Sequence, residues 1–428
     1  MVNWWIIRTF IGINQIVMNK SKPLDQVCLT GVVTLDVSAK LLIKIGSDRT
    51  ILCKLRTFAM SVLDFRRTDK GNLRHKLSDM IMLVLLARIS GCIGRRDIIE
   101  FGRHNIRRFQ SMGMLKNGIP SEATLCRMEQ GIDDVSMAKK MSEYIASFRQ
   151  ELNSSGKQDI ISIDGKAMRG TMQSNGRNPD IVSAYSGQTG LILATVACSE
   201  KSNEIKAGPI LLGELDIAGD IITADAMSMQ KDIIDKIREK GADFVIELKA
   251  NQRSLRYGIE DRIGRCKPLQ EYTEGPELSH GRIETRTYKV YDGEALIVDK
   301  EKWGGRLTVV EVISETINKS TGVRSTERRF FISSLPPNAR RLGAIIRQHW
   351  MIESAHWILD RNFWQDSIKR KTAKSARNLD TLQRIAYSVF SIWRRRRKKK
   401  SDKAKGVAEL MRGISRSFTR LIRFLSQK

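Results

Sequence analysis

The most constraining feature of the sequence is a change of hydrophobic period at Asp159, from the spacing of helices to that of strands. Strands are predicted in the segments DIISIDGK, IVSAYSGQT and GLILATVAC, followed by a helix in SNEIKAGPILLGEL. The stretch IITADAMSMQKDIIDKIREKGADFVIELKA then predicts strand, helix and strand. Hairpins followed by a β-α-β unit indicate a mixed sheet flanked by helices, an α/β (α+β) fold.

The regions around this sheet follow other patterns. Residues 60–155 contain four helical segments, the third opened by a serine cap, and predict a small all-α domain. Within 156–366, alternation in RIETRTYKVYD, RLTVVEVISETI and RRFFISSL predicts a β-rich insertion at about 257–337. Residues 367–428 predict a basic helical tail. Residues 1–59 have no sustained period, so we expect an extension of unknown role and a candidate for disorder.

Two aspartates stand where predicted strands end, Asp164 in SIDGK and Asp225 in TADAM. Side chains beyond strand ends escape the core, so they can converge at one edge of a sheet. Taken alone, Asp164 with the following glycine also fits a plain turn. Asp225 taken alone also fits the N-cap of the next helix.

A third acid, Glu353, lies in the stretch IIRQHWMIESAHWILDRN at residues 345–362. Read as one helix, this stretch puts His349, Glu353, His356 and Asp360 on one polar face and large apolar residues on the others. This pattern predicts that Glu353 faces an enclosed polar spot, as a metal ligand or a general base. A buried ion pair with a neighbouring arginine is the alternative.

Three convergent carboxylates repel one another unless a cation lies between them. With two Mg²⁺ ions about 4 Å apart, such a cluster becomes a phosphoryl-transfer site, in which one ion activates water or a 3′-hydroxyl and the other stabilises the leaving oxygen. Hard oxygen ligands favour Mg²⁺, with Mn²⁺ as a substitute, over zinc. We therefore predict that the catalytic residues and metal ligands are Asp164, Asp225 and Glu353.

The formal net charge of +27 indicates a polyanionic partner, most commonly nucleic acid. Residues 367–428 hold 20 lysines and arginines against 3 aspartates and glutamates, a net +17. Phosphate contacts that do not read sequence are predicted for Arg394, Arg395, Arg396 and Arg397. A solubilising or membrane-surface tail is the alternative.

The cysteines and the hydropathy pattern indicate the compartment. The six cysteines form no CxxC pair and no pairing with histidines, which disfavours a zinc site and fits a reducing cytoplasm. No uncharged apolar run reaches about 18 residues, the length that a membrane span requires. We expect a cytoplasmic, nucleoid-associated protein with no membrane partner.

From Met60 to the C-terminus, about 85% of the chain, the sequence resembles the DDE transposases of bacterial insertion sequences, and more closely their H-repeat-associated group. The matching stretches are HKLSDMIMLVLLARISG, EFGRHNIRRF, NGIPSEATLCRM, SIDGKAMRGT, SEKSNEI, ITADAMSMQKDI, VIELKANQ, HGRIETR and IRQHWMIESAHWILDRNFWQD. The resemblance implies an RNase H-like sheet with a β-rich insertion before the last acid. It assigns the three acids to Asp164, Asp225 and Glu353.

The resemblance also implies an activity and partners. The implied reaction is metal-dependent cleavage at transposon ends by water, then strand transfer through the liberated 3′-hydroxyl. The implied partner is double-stranded DNA, both the transposon ends and the target, with residues 60–155 as a DNA-binding domain. Because two ends are cut together, we expect a homodimer on DNA.

Further DNA contacts are expected around these acids. Lys249, Asn251 and Gln252 are similar to the family's KGNQ-like signature, which implies that they position DNA. Lys166 and Arg169 follow the first acid closely and could hold phosphates, although solvated loop cations explain them equally well.

The last acid lies in a segment that departs from the family pattern. Relatives often carry Y-x2-R-x3-E-x6-K around this acid, where this chain has Ile346, His349 and Asp360. We expect His349 to position a DNA phosphate instead, and Asp360 to support a neighbouring base.

Two other classes of function are open. One is a catalytically inactive transposase remnant that only binds DNA. The other is a di-metal oxidase that uses Glu353 and His356 as a Glu-x-x-His pair, a site that requires a second helical copy. The other such pair, Glu277 and His280, falls in the predicted loop GPELSHG, which disfavours the oxidase.

Overall fold

The computed structural model describes residues 50–427, except for positions 70, 154–155, 157, 172–177, 199–203 and 280. Residues 49–428 form one compact unit. Most of the predicted extension at 1–59 therefore lies outside the described residues. Within the described part of the chain, no helix is both long enough and apolar enough to cross a membrane.

Five helices precede the sheet, one more than the four predicted from the sequence. They begin at side-chain caps where the chain supplies them: the hydroxyl of Ser121 accepts from the Thr124 N–H, and the carboxylate of Asp133 accepts from the Ser136 N–H. These helices are α1 Ile51–Ser61, α2 Leu77–Ile89, α3 Arg95–Ser111, α4 Glu122–Gly131 and α5 Asp134–Leu152.

The predicted boundary between residues 59 and 60 is wrong, because α1 runs across it. Thr50 caps this helix, and its apolar side chains, including Ile51, Leu55 and Phe58, are buried. The segment just before Met60 is therefore part of the packed fold and not an extension.

Nine strands form one sheet in the order β3-β2-β1-β4-β5-β9-β8-β7-β6. In chain order they are β1 Ile160–Ala167, β2 Asp180–Ser186, β3 Ile192–Ala197, β4 Ile221–Ala224, β5 Asp243–Leu248, β6 Gln270–Ser279, β7 Arg282–Asp292, β8 Thr308–Asn318 and β9 Arg324–Ser333. Helices α6 Glu204–Gly213, α7 Lys231–Glu239, α8 Arg253–Ile263 and the short α9 Gly293–Leu296 lie between strands.

The first five strands confirm the expected RNase H-like fold. β1, β2 and β3 form an antiparallel meander, while β4 and β5 lie parallel to β1 on its other side. The parallel pairing of β1 and β4 stops after Ile163 and Ala224, and this brings together the next residue on each strand.

The β-rich insertion extends the RNase H-like sheet and does not form a separate layer. β9 pairs antiparallel with β5, and β8, β7 and β6 follow outward. Two details differ from the expectation. The insertion opens with helix α8, and the predicted loop GPELSHG belongs mostly to strand β6. Because Glu277 lies on that strand, the second helical Glu-x-x-His copy that an oxidase requires is not formed there.

The remaining helices are α10 Ala339–His349, α11 Met351–Phe363, α12 Ala373–Arg395, α13 Lys400–Ala404, α14 Val407–Ser415 and α15 Phe418–Leu425. Helix α10 packs on the sheet through Leu342, Ile345 and Ile346, which join a core with Val245 of β5 and Tyr288 of β7. This packing fixes the junction of α10 and α11 over the end of the parallel strands.

The predicted basic tail at 367–428 is wrong for α12, which is a central helix. Of its 23 residues 18 are buried, and it packs against α2, α4, α5 and β3. Several of its buried polar side chains pair with one another or with neighbours: Arg384 forms an ion pair with Asp380 at 2.7 Å and donates to the Ser183 hydroxyl at 2.9 Å. The helices before the sheet and those after it therefore share one core.

Candidate active site

Asp164 and Asp225 lie side by side where the parallel pairing of β1 and β4 stops; β4 ends there, whereas β1 continues to Ala167 beside β2, so the predicted strand end at Asp164 is wrong. β1 and β4 pair in register up to Ile163 and Ala224, and the two aspartates are the next residue on each chain. Only Asp225 also fulfils its simpler interpretation, because Asp164 and Gly165 lie within β1 and do not form the plain turn. The Asp164 carboxylate accepts from the Gly165 N–H at 2.9 Å, and Asp225 caps a 3-10 turn by accepting from the Met227 N–H at 3.1 Å.

The charges at this edge of the sheet favour a cation. Burial raises the pKa of Asp225 above its usual value, and the neighbouring Asp164 carboxylate raises it further. Backbone N–H groups and the Lys249 ammonium group act in the opposite direction. Two hard oxygen donors that repel each other suit a divalent ion, which relieves the repulsion.

The predicted single helix over residues 345–362 is wrong, because the chain breaks at Trp350. This residue ends α10 and precedes α11, and its ring lies beside the guanidinium groups of Arg286 and Arg329, at 5.3 and 5.2 Å. Glu353 consequently lies in the first turn of α11, where the helix dipole favours a carboxylate. The side chain is exposed, so the predicted enclosed spot is also wrong.

His356 connects α11 with the first aspartate. Its Nδ1 lies 3.5 Å from the Asp164 carboxylate, and α11 packs against β1. Glu353 precedes His356 by three residues, so the two side chains lie on neighbouring positions of one helix face, with Cβ atoms about 5–6 Å apart. Glu353 is thus exposed on the helix face that carries the Asp164 contact.

Within the described part of the chain, no three His, Cys, Asp or Glu side chains are grouped closely enough to hold a metal ion. The adjacent pair Asp164 and Asp225 fits a divalent ion by donor type and by electrostatics. Glu353 supplies an exposed carboxylate on the helix that contacts Asp164.

His349 lies against the strands below the aspartates. Its Nδ1 is 3.0 Å from the hydroxyl of Thr223, which in turn donates to Ser162 at 3.1 Å. Burial lowers the pKa of His349, and the Asp164 and Glu247 carboxylates only partly oppose this effect. A neutral imidazole bonded to Thr223 is a weaker phosphate ligand than the sequence led us to expect.

Glu247 is a further acid that the sequence interpretation missed. β4 and β5 pair up to Ala224 and Ile246, so Glu247 lies beside Asp225 in the next strand. Its carboxylate is largely buried and forms an ion pair with Lys249 at 2.9 Å. The register of two neighbouring strands, which VIELKANQ alone does not give, is the signal that would have identified it.

Lys166 and Arg169 differ in their surroundings. The Lys166 ammonium group is mostly buried and lies 3.0 Å from both carboxylate oxygens of Asp366. The Asp360 carboxylate accepts from the Asp366 N–H at 3.3 Å. Lys166 therefore ties β1 to the segment after α11. Arg169 is 77% exposed and 4.0 Å from Asp366, which leaves it accessible to a ligand.

Asn251 and Gln252 hold the turn that carries Asp225. The Asn251 amide donates to the carbonyl of Ala226 at 2.6 Å, and the Gln252 amide donates to the carbonyl of Met229 at 2.8 Å. In this conformation both amide groups are used to stabilise this turn. Lys249 beside them is 62% exposed, apart from its ion pair with Glu247.

The arginine run after α12 is also partly engaged within the protein. Arg395 donates to the carbonyls of Thr189 and Gly187 at 3.3 and 3.4 Å, and Arg396 forms an ion pair with Glu151 at 2.9 Å. The Arg397 guanidinium group lies 4.7 Å from the Trp393 ring. Arg394 at the end of α12 is half-buried.

An RNase H-like sheet with paired aspartates where its parallel pairing stops and a glutamate-bearing helix against the first strand defines the DDE class of phosphoryl-transfer proteins. The family model described as "Transposase DDE domain" matches residues 155–389, more than half of the chain, and one described as "DDE_Tnp_1-associated" matches residues 57–145. The chain belongs to the DDE transposase family, whose role is DNA transposition and whose domains generally use divalent metal ions.

Two relatives and one solved structure illustrate the similarity. The chain is 33% identical over 353 residues to the H repeat-associated putative transposase YhhI of Escherichia coli (strain K12), covering 79% of this chain and 91% of YhhI. It is 32% identical over 334 residues to YncI of Escherichia coli O157:H7, covering 75% and 84%. A piggyBac transposase synaptic complex with hairpin DNA is similar with a TM-score of 0.43 at 11% identity, over 88% of this chain and 78% of that one.

Proposed function

We propose that this chain cleaves DNA at the ends of an insertion sequence and transfers the liberated strand to target DNA, with Asp164, Asp225 and Glu353 as ligands of two Mg²⁺ ions. The observation that carries this proposal is the adjacent pair Asp164 and Asp225, where the charge of one raises the pKa of the other. Mn²⁺ is the expected substitute, because it also prefers oxygen ligands.

Bound Mg²⁺ supplies activation of the attacking oxygen and charge stabilisation for both displacement steps. The contribution of the chain is to hold the carboxylates in place. The Asp225 turn is held by Asn251 and Gln252, and His356 lies against Asp164. Lys166 and Asp366 fix the segment after α11 relative to β1. These contacts leave the Glu353 side chain exposed toward an arriving DNA strand.

Double-stranded DNA is the proposed partner, as transposon ends and as target. Lys249, whose charge lowers the pKa of Asp225, and Arg169, five residues after Asp164, are exposed cations and are the proposed phosphate contacts. Because an insertion sequence has two ends that must be cut together, we infer that a homodimer acts on DNA. Family membership supports DNA binding, while the dimer is our inference from the reaction.

The test compares amide variants in a nicking assay. Asp164→Asn, Asp225→Asn and Glu353→Gln each remove a charged ligand, so each should abolish Mg²⁺-dependent nicking of a duplex that carries the element's ends. Binding of the same duplex without divalent metal should stay close to that of the unmodified protein. Glu239→Gln is the matched control, because Glu239 is exposed on α7 and pairs only locally with Lys236.

Each of the three assignments is tested separately by its own amide variant. If one amide variant nicks the duplex at the normal rate with Mg²⁺, that residue is not a required ligand. Loss of nicking in the control variant would show that the assay reports general damage and not ligand loss.

A catalytically inactive remnant is the second candidate, favoured by one observation. Glu353 is exposed and no three acids are grouped among the described residues, so DNA binding alone would also fit this conformation. The unmodified protein separates the two candidates. Duplex binding without nicking in either Mg²⁺ or Mn²⁺ supports the remnant, and nicking excludes it.

A further inference from the structure

A basic groove opens in the helical region, apart from the carboxylates. Its volume is about 1030 Å³, and it is lined by α2, α3, the start of α4 and the segment before α2. Met80, Ile99 and Met128 form an apolar floor. We call it the α3–α4 groove. Its lining arginines are Arg66, Arg74, Arg96, Arg103 and Arg127.

The charge of the α3–α4 groove is positive even after its ion pairs are counted. Arg66 already pairs with the part-buried Asp64 at 2.7 Å. Glu100 pairs with Arg103 at 2.5 Å, and Glu122 lies 3.6 Å from Arg96. The last two pairs are exposed, so each is worth about 0–1 kcal/mol and can yield to another anion. Among the described residues, no carboxylate lies within ion-pair distance of Arg74 or Arg127, and both are exposed.

A buried histidine in the groove has a polar atom without a partner. His75 is 8% exposed and lines the groove, and its Nδ1 makes no hydrogen bond to any described residue. An unpaired buried polar atom costs about 1–3 kcal/mol. Nδ1 is shielded from solvent, so the ring must turn toward the groove before a phosphate oxygen can recover this cost. Burial lowers the pKa of His75, and nearby Arg74 and Arg66 lower it further, so the ring is neutral at pH 7 and can donate from one nitrogen.

The groove also receives the N-terminus of α4. Ser121 caps this ten-residue helix, and Ser121, Glu122 and Thr124 line the groove. The free N–H groups and the dipole of a helix N-terminus favour a negatively charged oxygen. Arg96 and Arg103, two turns apart on α3, lie about 10 Å apart along the helix axis, which matches roughly three nucleotide steps of one DNA strand.

We propose that the α3–α4 groove binds the phosphodiester backbone of double-stranded DNA, with arginines on the strand phosphates and His75 donating to a phosphate oxygen. This inference rests on the proposed function, because it identifies where a transposase of this build would hold DNA outside its carboxylate site. Apolar residues at the floor and arginines at the rim suit a backbone that lies along the groove, with most contacts to phosphates.

The test measures binding of a fluorescent duplex bearing the element's ends by anisotropy, without divalent metal, across a salt series. Each phosphate contact contributes a slope of about 0.9 in log affinity against log salt, or about eightfold in affinity at 0.1 M salt. The double variant Arg74→Ala with Arg127→Ala should therefore bind roughly 50-fold more weakly, with a slope lower by about 2. Arg265→Ala, an exposed arginine at the end of α8, is the matched control and should change neither value.

Three further variants give readouts that together separate a binding role from a loss of folding. Glu122→Gln removes an acid from the groove and should strengthen binding several-fold. His75→Phe should weaken binding several-fold with little change in the salt slope, because a neutral donor is lost, whereas His75→Gln should retain most of the affinity. Circular dichroism and melting temperature check that each variant is folded.

Two results would overturn the groove assignment. One is a folded double arginine variant with the affinity and slope of the control. The other is a Glu122→Gln variant that binds no better than the unmodified protein. If the unmodified protein binds and nicks the duplex while the groove variants do both normally, only the groove assignment fails. If the unmodified protein neither binds nor nicks it, the proposed function fails as well.

Discussion

Glu129 on α4 is a single charged group on which several helices depend, so Glu129→Gln should destabilise the protein strongly. The side chain is 1% exposed. It accepts from Arg95 of α3 at 2.6 Å, is 2.9 Å from Arg370 of the segment before α12, and accepts from the Ser375 hydroxyl of α12 at 3.3 Å. The carboxylate thus joins α3, α4 and α12 at one buried point.

The expected loss of stability follows from the arginines that remain buried after the carboxylate is removed. Glutamine keeps the volume but removes the charge, and its NH₂ group cannot accept from a guanidinium group. Breaking a buried pair by removing one partner costs about 3–5 kcal/mol, because an uncompensated charge stays behind. The buried guanidinium group of Arg88 also interacts with this cluster. Burial, followed by the charge of Arg370, lowers the pKa of Arg88 to about 10, and the Glu129 charge opposes this. We therefore expect a loss of about 4 kcal/mol.

Urea unfolding followed by far-UV circular dichroism measures this loss. With a slope of about 3 kcal/mol per molar urea, a loss of about 4 kcal/mol lowers the midpoint by about 1.3 M. Glu122→Gln is the control on the same helix, because its pair with Arg96 is exposed and worth about 0–1 kcal/mol. A Glu129→Gln midpoint within about 0.3 M of this control would refute the reasoning.

Three other predictions test separate parts of the structure. A chain that starts at Met60 should melt at a much lower temperature than one that starts at Arg49, because it lacks buried α1 residues such as Leu55 and Phe58, each worth about 2–5 kcal/mol; equal melting would contradict the packing of α1. Stability should fall from pH 7.5 to pH 5.5, because the pKa of His349 is lowered in the folded state and the unfolded state takes up more protons as the pH falls through 6.5. In His349→Gln the melting temperature should fall less over this range, and an unchanged fall would rule out this contribution. Asn251→Ala frees the turn that carries Asp225, so single-turnover nicking should slow by about tenfold or more while duplex affinity stays normal; weaker binding at an unchanged rate would instead place Asn251 on DNA.

Local patterns in the sequence were sufficient to find the strands of the RNase H-like sheet and the two aspartates on them, although β1 runs past Asp164 to Ala167. Asp164 and Asp225 could be singled out because each follows a run of apolar residues that only a buried strand explains. Their adjacency then follows from parallel pairing, a general property of such sheets. Glu247 was not predicted because it lies within a strand, and only the register of β5 against β4 shows that it lies beside Asp225.

The break at Trp350 could not be predicted from period alone. The apolar spacing is continuous through residues 345–362, and no proline or glycine marks the end of a helix. What stabilises the break is distant in sequence: Arg286 and Arg329 lie beside the Trp350 ring, and Glu274 and Glu277 pair with Arg347 of the preceding turn. Tertiary contacts of this kind override local propensity.

Buried polar residues explain why α12 was predicted as part of a tail. The helix contains Asp380, Gln383 and Arg384, which read as solvent-facing in a sequence with a strongly basic surrounding. Each has a partner in the core: Asp380 accepts from Gln365, and Gln383 donates to the carbonyl of Phe363 at 2.8 Å. Satisfied polar groups can be buried at little net cost, so hydropathy alone does not reveal them.

The central position of α12 has a consequence for damaged copies of the gene. A nonsense or frameshift lesion anywhere upstream of Ala373 removes the helix on which α2, α4, α5 and β3 all rest. We expect the shortened product to expose those apolar surfaces and to be degraded. Truncated copies of the gene should therefore leave no stable protein fragment.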